Sequence, residues 1–478
     1  MKHLFLFILA IAFQIPLKAQ DISGSWTGKI AVGATKIRLV FNIKKQTDTS
    51  YLSTFDSPDQ KAYNIPCKST MIKGDSLFID IPLIGGAYKG KWNRIDSIAG
   101  TFKQGVAKLV LNMTRKTGDD KPDAPKVFNR PQTPKPPFDY FTEDVEYDNA
   151  DKSLHYGATF TRPNSAGKYP TVIIISGSGT QDRNGTIFNH QLYWVLADYL
   201  TKQGIAVLRV DDRGAGKSSL GTDINNKTSL DFSYDVEASM NYLETRMDVD
   251  KKHLGLIGHS EGGIIAPMVA ARRKDVNFIV MWAGPEVGGA QTITSQVGVT
   301  LKNQGVDSTA IAAFKELHFK ALSLFASSET KEELDKQLTP VFNAWKSQLL
   351  PETLAALNMH DDALANAIKM YNGLFDSGWF RFFIRYRPEV DLAKVKCKVL
   401  AINGSKDTQV DAKLNLKKIG EILAQSGNKH FVTKEIPGLN HLLQTAITGD
   451  LSEYEQIEET ISPVALKIIS DWIKLETR

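Results

Sequence analysis

Gly258-His259-Ser260-Glu261-Gly262 is the stretch of this sequence best suited to chemistry. A Gly-x-Ser-x-Gly run needs a tight turn between a strand and a helix. Glycines on both sides let the two elements approach, and the turn lifts the serine hydroxyl out at the C-terminal edge of a sheet. As a bare pattern the run is common. Here it follows an apolar run, His253–Ile257, and precedes an amphipathic segment over 261–273, which is the context it requires. Pro267 is expected to kink that helix.

A serine hydroxyl is a weak nucleophile near neutral pH. It needs a base within hydrogen-bond reach, and the base needs an orienting group. With a serine on such a turn, the partners follow along the chain as acid, then histidine. Four histidines lie beyond Ser260. His318 and His360 fall in a long helical stretch, and His430 opens a strand, at the wrong end of a sheet. His441, in Pro437-Gly-Leu-Asn-His441 after the last strand, is the expected base. The expected acid is Asp407, in Asn403-Gly-Ser-Lys-Asp407 directly after the strand 398–402. Asp411 competes with it but is better placed to cap a helix. Developing negative charge on a carbonyl oxygen calls for backbone N–H donors. One should be the N–H of Glu261. The second should come from Ser176-Gly-Ser-Gly-Thr-Gln-Asp182, where Gly177 and Ser178 are the candidates and Ser178 is preferred.

These residues require a sheet of parallel strands, and the chain supplies its signs. Thr171–Ile175, Ile205–Val210, His253–Ile257, Asn277–Trp282, Lys398–Ile402 and His430–Ile436 are apolar or β-rich runs. Helical patterns stand near 189–203, 231–246, 261–273 and 463–475, after two β-like runs at 143–147 and 153–161. Such alternation predicts an α/β fold, a mostly parallel sheet with helices on both faces. Strand signals lapse over about 290–385, which reads as a helical cap inserted above the strand ends. Segments such as Ser308–Phe325 and Lys331–Leu338 carry it.

Ahead of this lies a different region. Residues 20–115 read as a small all-β domain, sandwich or barrel, with runs at 36–43, 76–81 and 107–113. Trp26 and Trp92 are expected in its core rather than in a ligand groove. Prolines 122, 125, 131, 134, 136 and 137 stiffen residues 116–138 into a linker before the α/β domain at 139–478. Residues 1–19 read as a signal peptide. Lys2 and His3 precede a ten-residue apolar run, too short to span a bilayer, and Ala19 offers a cleavage site. The expectation is a secreted or periplasmic protein with no membrane span.

The formal charge of +5 becomes +3 without Lys2 and Lys18, and no Lys/Arg cluster interleaves with aromatics in the sequence. Nucleic acid is therefore not an expected partner. Cys67 and Cys397, far apart, are expected as unpaired thiols. No metal-ligand spacing or dinucleotide fingerprint occurs, so no metal or cofactor is expected. Asp211-Asp-Arg-Gly-Ala-Gly-Lys-Ser218 is not a phosphate loop, because its first glycine would fall on Asp211. It reads as a structural turn in which Asp212 and Arg213 bond neighbouring loops.

Gly258-His-Ser-Glu-Gly-Gly263 with Ile264-Ile-Ala-Pro267 resembles bacterial α/β-hydrolases of the esterase and serine aminopeptidase-like group. So do Gly177-Ser-Gly179 with Asp182, Asp212-Arg-Gly-x-Gly-x-Ser218, Gly404-x-x-Asp407 and Asn440-His441. The resemblance spans about 140–478. The N-terminal β-domain resembles the accessory domain before some secreted esterases of the group. Ser176-Gly177 stands where a His-Gly pair is commoner. The resemblance implies a carboxylesterase acting on small acyl esters through Ser260, Asp407 and His441. An aminopeptidase or amidase using the same residues is the alternative; it would need a cap acid such as Glu316, Glu352 or Asp361 to hold an amino terminus. A third possibility is a binding protein whose β-domain docks carbohydrate or envelope material.

Overall fold

The structure, a computed structural model, describes residues 21–478 apart from 33–34, 48–49, 61, 105–106, 117–127 and 360. The expected signal peptide and the first part of the expected linker lie outside the described residues. The chain divides into two compact units, Met1–Lys126 and Val127–Arg478. Residues 128–138 thus belong to the second unit. Their prolines do not leave them free, because Arg130 donates to the carbonyls of Glu455 (2.8 Å) and Ile457 (2.9 Å).

The first unit is an antiparallel barrel. Buried and less buried side chains alternate along strands such as Ser76–Ile81 and Gly86–Trp92, so each strand gives one row to an interior. Eight strands pair in chain order: Gly24–Val32, Thr35–Lys45, Tyr51–Ser57, Ser69–Lys73, Ser76–Ile81, Gly86–Trp92, Ser97–Gln104 and Met113–Arg115. The last pairs with the first and closes the ring. The run expected as one strand over 107–113 is broken. Ala107–Val110 pairs only with Ser97–Gln104, and Leu111 turns inward before Met113–Arg115 bridges to the first strand. Aromatic side chains fill the interior. Trp26 and Trp92 pack edge to face with ring centroids 6.4 Å apart, in the core as expected.

The second unit holds one eight-stranded sheet: β1 (Tyr140–Asp148), β2 (His155–Pro163), β3 (Tyr169–Ile175), β4 (Ala206–Val210), β5 (Val249–His259), β6 (Phe278–Trp282), β7 (Lys398–Gly404) and β8 (Phe431–Ile436). The spatial order is β1-β2-β4-β3-β5-β6-β7-β8. β2 runs against β1 and β4, and every other pairing is parallel. The central strands are buried on both faces, which is why they read as continuous apolar runs; all five residues of β6 are buried. Helices Ser229–Thr245, Gly262–Arg272 and Ala412–Gln425 contribute to the core on one face. Leu192–Lys202 and Pro463–Glu476 cover the other.

Between β6 and β7 the chain forms the expected helical cap, from Gly289–Asn303 through Gly378–Arg385. Its core includes Phe325, Phe342, Tyr371 and Phe380, together with Ile264 and Met268 of the helix after Ser260. The cap is thus seated on the element that carries the serine. Among the described residues, no helix is long and apolar enough to cross a membrane.

Candidate active site

β5 ends at His259, and Ser260 adopts φ +55°, a left-handed conformation that costs a β-carbon-bearing residue about 1–2 kcal/mol. The turn is tight. A Cβ on Gly258 would stand 1.9 Å from the Gly262 carbonyl oxygen, and one on Gly262 would stand 2.4 Å from that of Ile175. No side chain fits at either position. The Ser260 N–H donates to Trp282 on β6 (2.8 Å), and the Ser260 carbonyl accepts from Gly263 (2.8 Å), which holds the turn between sheet and helix.

Asp407 and His441 arrive on the loops after β7 and β8. Gly404 lets the loops meet, since a Cβ there would lie 2.1 Å from the Leu439 carbonyl oxygen. His441 Nδ1 stands 2.7 Å from Asp407 Oδ2, with both side chains buried. Asp407 Oδ1 accepts from the N–H groups of Gln409 and Val410, each at 2.8 Å. Trp282 Nε1 donates to the His441 carbonyl (3.1 Å). A carboxylate at Nδ1 fixes the proton on that nitrogen and leaves Nε2 as the acceptor. Ser260 Oγ and His441 Nε2 form no direct hydrogen bond here. The His259 ring stands 5.0 Å from the His441 ring and 4.4 Å from that of Trp282. Burial holds its pKa well below the usual histidine range, so it is neutral.

The other candidates fall elsewhere. Asp411 accepts from the Leu414 N–H (2.9 Å) and caps Ala412–Gln425. His430 immediately precedes β8, at the end opposite His441. His318 is buried in the cap against the Tyr371 hydroxyl, and His360 lies outside the described residues.

The segment after β3 passes beside the serine, and a Cβ on Gly177 would lie 3.2 Å from that of Ser260. Of the two candidate amides on this segment, that of Gly177 is engaged. Its N–H donates to the Tyr193 hydroxyl at 3.1 Å, so it points into the protein. The N–H groups of Ser178 and Glu261 have no partner among the described residues. The Tyr193 hydroxyl also donates to Gln181 Oε1 (3.0 Å) and lies 3.2 Å from His259 Nδ1.

Ser178 and Glu261 line a cavity of about 380 Å³. Ile173, Phe232, Val236 and Ile265 give it apolar walls. Four acidic side chains line it: Asp211 (paired with Arg183), Asp235 (paired with Arg213), Glu261 and Asp212. Glu261 Oε1 accepts from Ser229 Oγ (2.6 Å) and from Nε1 of Trp379 in the cap (2.7 Å), and burial raises its pKa. Asp212 accepts from Ser176 Oγ (2.6 Å) and the Gln181 N–H (2.8 Å). Burial, with the nearby charges of Glu261 and Asp235, pushes its pKa up to about 7. Arg213 makes two 2.7 Å bonds to Asp235, so this turn ties loops together. Glu316 and Glu352 of the cap are exposed and line no part of the cavity; the side chain of Asp361 is not among those described. No group of three or more His, Cys, Asp or Glu side chains among the described residues could hold a metal ion.

The pattern of the serine aminopeptidase, S33, family matches residues 184–445, more than half of the chain. The chain belongs to this family. It is an α/β-hydrolase of the esterase-like kind. Its sequence is 30% identical over 125 residues to esterase EstD of Thermotoga maritima, a stretch covering 26% of this hydrolase and 29% of that esterase. Two solved structures are similar to this chain. One is the Pyrococcus furiosus esterase Pf2001, with TM-score 0.41 and 15% identity, covering 74% of this chain and 99% of the other. The other is Est1E of Butyrivibrio proteoclasticus, with TM-score 0.37 and 15% identity, covering 70% and 98%.

Sequence reasoning missed three residues of this hydrolase's site: Tyr193, Trp379 and, as a side chain, Glu261. Trp379 had a signal in the aromatic-rich run Gly378-Trp-Phe-Arg-Phe-Phe-Ile384, which forms the helix Gly378–Arg385. Tyr193 had none, because its partner lies 16 residues away on another element.

Proposed function

We propose that the protein is a carboxylesterase of small acyl esters, with Ser260 as nucleophile, His441 as general base and Asp407 as its orienting acid. The observation that supports this best is the buried 2.7 Å Asp407–His441 pair at the sheet edge from which Ser260 projects. Ser260 Oγ attacks the ester carbonyl carbon as its proton passes to His441 Nε2. The carbonyl π pair moves to oxygen, where the Ser178 and Glu261 N–H groups receive it. The oxyanion then collapses, the C–O bond to the alcohol breaks, and the alcohol leaves with the proton from His441. Water, deprotonated by His441, attacks the acyl-enzyme, and the free acid departs as the proton returns to Ser260. The apolar cavity beside the Ser178 and Glu261 amides would receive the acyl group.

A second reading, cleavage of aminoacyl amides by the same residues, is favoured by one observation. Asp212 and Glu261 line the cavity with neutral partners only, a setting that would welcome an ammonium group. Turnover of nitrophenyl esters of several chain lengths beside aminoacyl anilides, with Ser260→Ala as control, tests both. Esters should be cut faster. Faster cleavage of anilides would favour the second reading, and undiminished turnover by Ser260→Ala would remove both.

A further inference from the structure

The two units differ sharply in charge. Residues 21–116 hold 15 Lys and Arg against 7 Asp and Glu, a formal +8, whereas residues 127–478 hold 39 against 43, a formal −4. Nothing in the proposed reaction uses the charge of the barrel. Part of it gathers on one patch of the barrel's outer face. Strand register sets Met71 opposite Phe78, Phe78 opposite Lys89, and Lys103 opposite Lys108. Like charges directly opposed across an antiparallel pair are destabilising. Lys89, Lys103 and Lys108 are all exposed, and none forms an ion pair among the described residues. With Met71 and Phe78 they line a groove of about 480 Å³, in which Asp80 is the acid. The Lys89 ammonium lies 5.3 Å from the centre of the Phe78 ring.

We propose that this groove binds an acidic polysaccharide. Carboxylate or sulfate groups along the polymer would pair with Lys89, Lys103 and Lys108, and the Phe78 ring would carry the apolar face of a sugar. An anion between Lys103 and Lys108 turns their repulsion into two attractions. Side chains on neighbouring strands stand about 5 Å apart, and same-face residues along a strand about 7 Å, so the cations form a short two-dimensional array. Acidic groups repeated along a chain suit such an array. The concave shape favours a strand-like polymer over a flat bilayer. This proposal does not depend on the esterase reading, because it concerns residues of the other unit alone.

The test measures binding of the full chain to polygalacturonate by calorimetry, beside neutral dextran, phosphatidylglycerol vesicles and duplex DNA. Polygalacturonate should bind, more weakly as salt rises, and dextran should not. Combined Lys89→Gln, Lys103→Gln and Lys108→Gln should weaken binding by at least about tenfold and flatten its salt dependence, as expected when cation contacts are removed. Phe78→Ala should weaken binding while leaving the salt dependence in place. Melting temperatures of both variants within about 3 °C of the parent would show intact folds, since substitutions on the surface shift stability little. Failure of the parent to bind polygalacturonate would overturn the proposal. So would equal binding by the triple variant, or tighter binding to vesicles or DNA than to the polysaccharide.

Discussion

The two sides of Ser260 are built differently. On one side, Asp407 and His441 are buried, and every oxygen of the Asp407 carboxylate has a donor. On the other, the buried Glu261 and the half-buried Asp212 have no Lys or Arg partner and line a cavity with several apolar walls, and their pKa values are raised. The first arrangement suits groups that must hold one geometry through a reaction. The second suits recognition, because polar groups held by neutral partners keep capacity for a ligand. The difference predicts that substitutions on the first side abolish turnover while those on the second redistribute it among substrates.

The largest effects belong to the first side. His441→Ala and Asp407→Asn should each lower kcat by about 10⁴-fold with folding unchanged, as loss of the base or of its tautomer does in serine hydrolases. A loss of tenfold or less in Asp407→Asn ester kinetics would break the assignment of Asp407. Tyr193→Phe comes next. Without the hydroxyl, the Gly177 amide is no longer anchored and the Ser178 amide loses its aim. The expected loss in kcat is about tenfold to a hundredfold, below the full cost of a missing oxyanion donor. KM should stay within about twofold if only the transition state is affected. Weaker substrate binding with unchanged kcat would instead assign Tyr193 to the cavity.

Most of the first side was legible in the sequence, and little of the second was. Ser260, Asp407 and His441 each follow directly on a β-rich strand, so chain order and strand ends were enough to select them. Asp411 and His430 were separable on the same grounds, one by its helix and the other by its strand end. The choice between Gly177 and Ser178 turned on a hydroxyl from a different helix, which no local pattern encodes. Glu261 was noted for its amide, while its side chain reaches Trp379, 118 residues on. Cap acids were named by residue type alone, and Glu316 and Glu352 proved exposed. The basic groove escaped for the same reason. Lys89, Lys103 and Lys108 are separated in the sequence and are gathered only by strand register.

Effects on the second side should be smaller and selective. Trp379→Phe removes the donor to Glu261 but keeps an aromatic wall. It should change the ratio of kcat/KM between short and long acyl esters by about threefold to tenfold, the range open to one altered pocket contact. An equal loss on all substrates would blur the two sides into one.

The smallest effect concerns stability. Both carboxyl oxygens of Glu286, in the loop after β6, are buried without hydrogen-bond partners. Burial, with the charges of Glu389 and Asp391, pushes its pKa from 4.5 up to about 8. The folded state then holds a proton that the unfolded state releases, so stability is complete below about pH 4.5 and is lost as pH rises toward 8. Glu286→Gln should remove that loss, seen as a shallower fall of the melting temperature between pH 5 and 8. An unchanged pH slope would show that Glu286 is not the group responsible.

The central claim is that Ser260 is the nucleophile. Incubation with a fluorophosphonate, followed by intact mass and peptide mapping, tests it most directly. The account predicts one phosphonyl group on Ser260, loss of ester turnover in step with labelling, and no label on Ser260→Ala. A label on another serine, or full labelling with turnover intact, would contradict it.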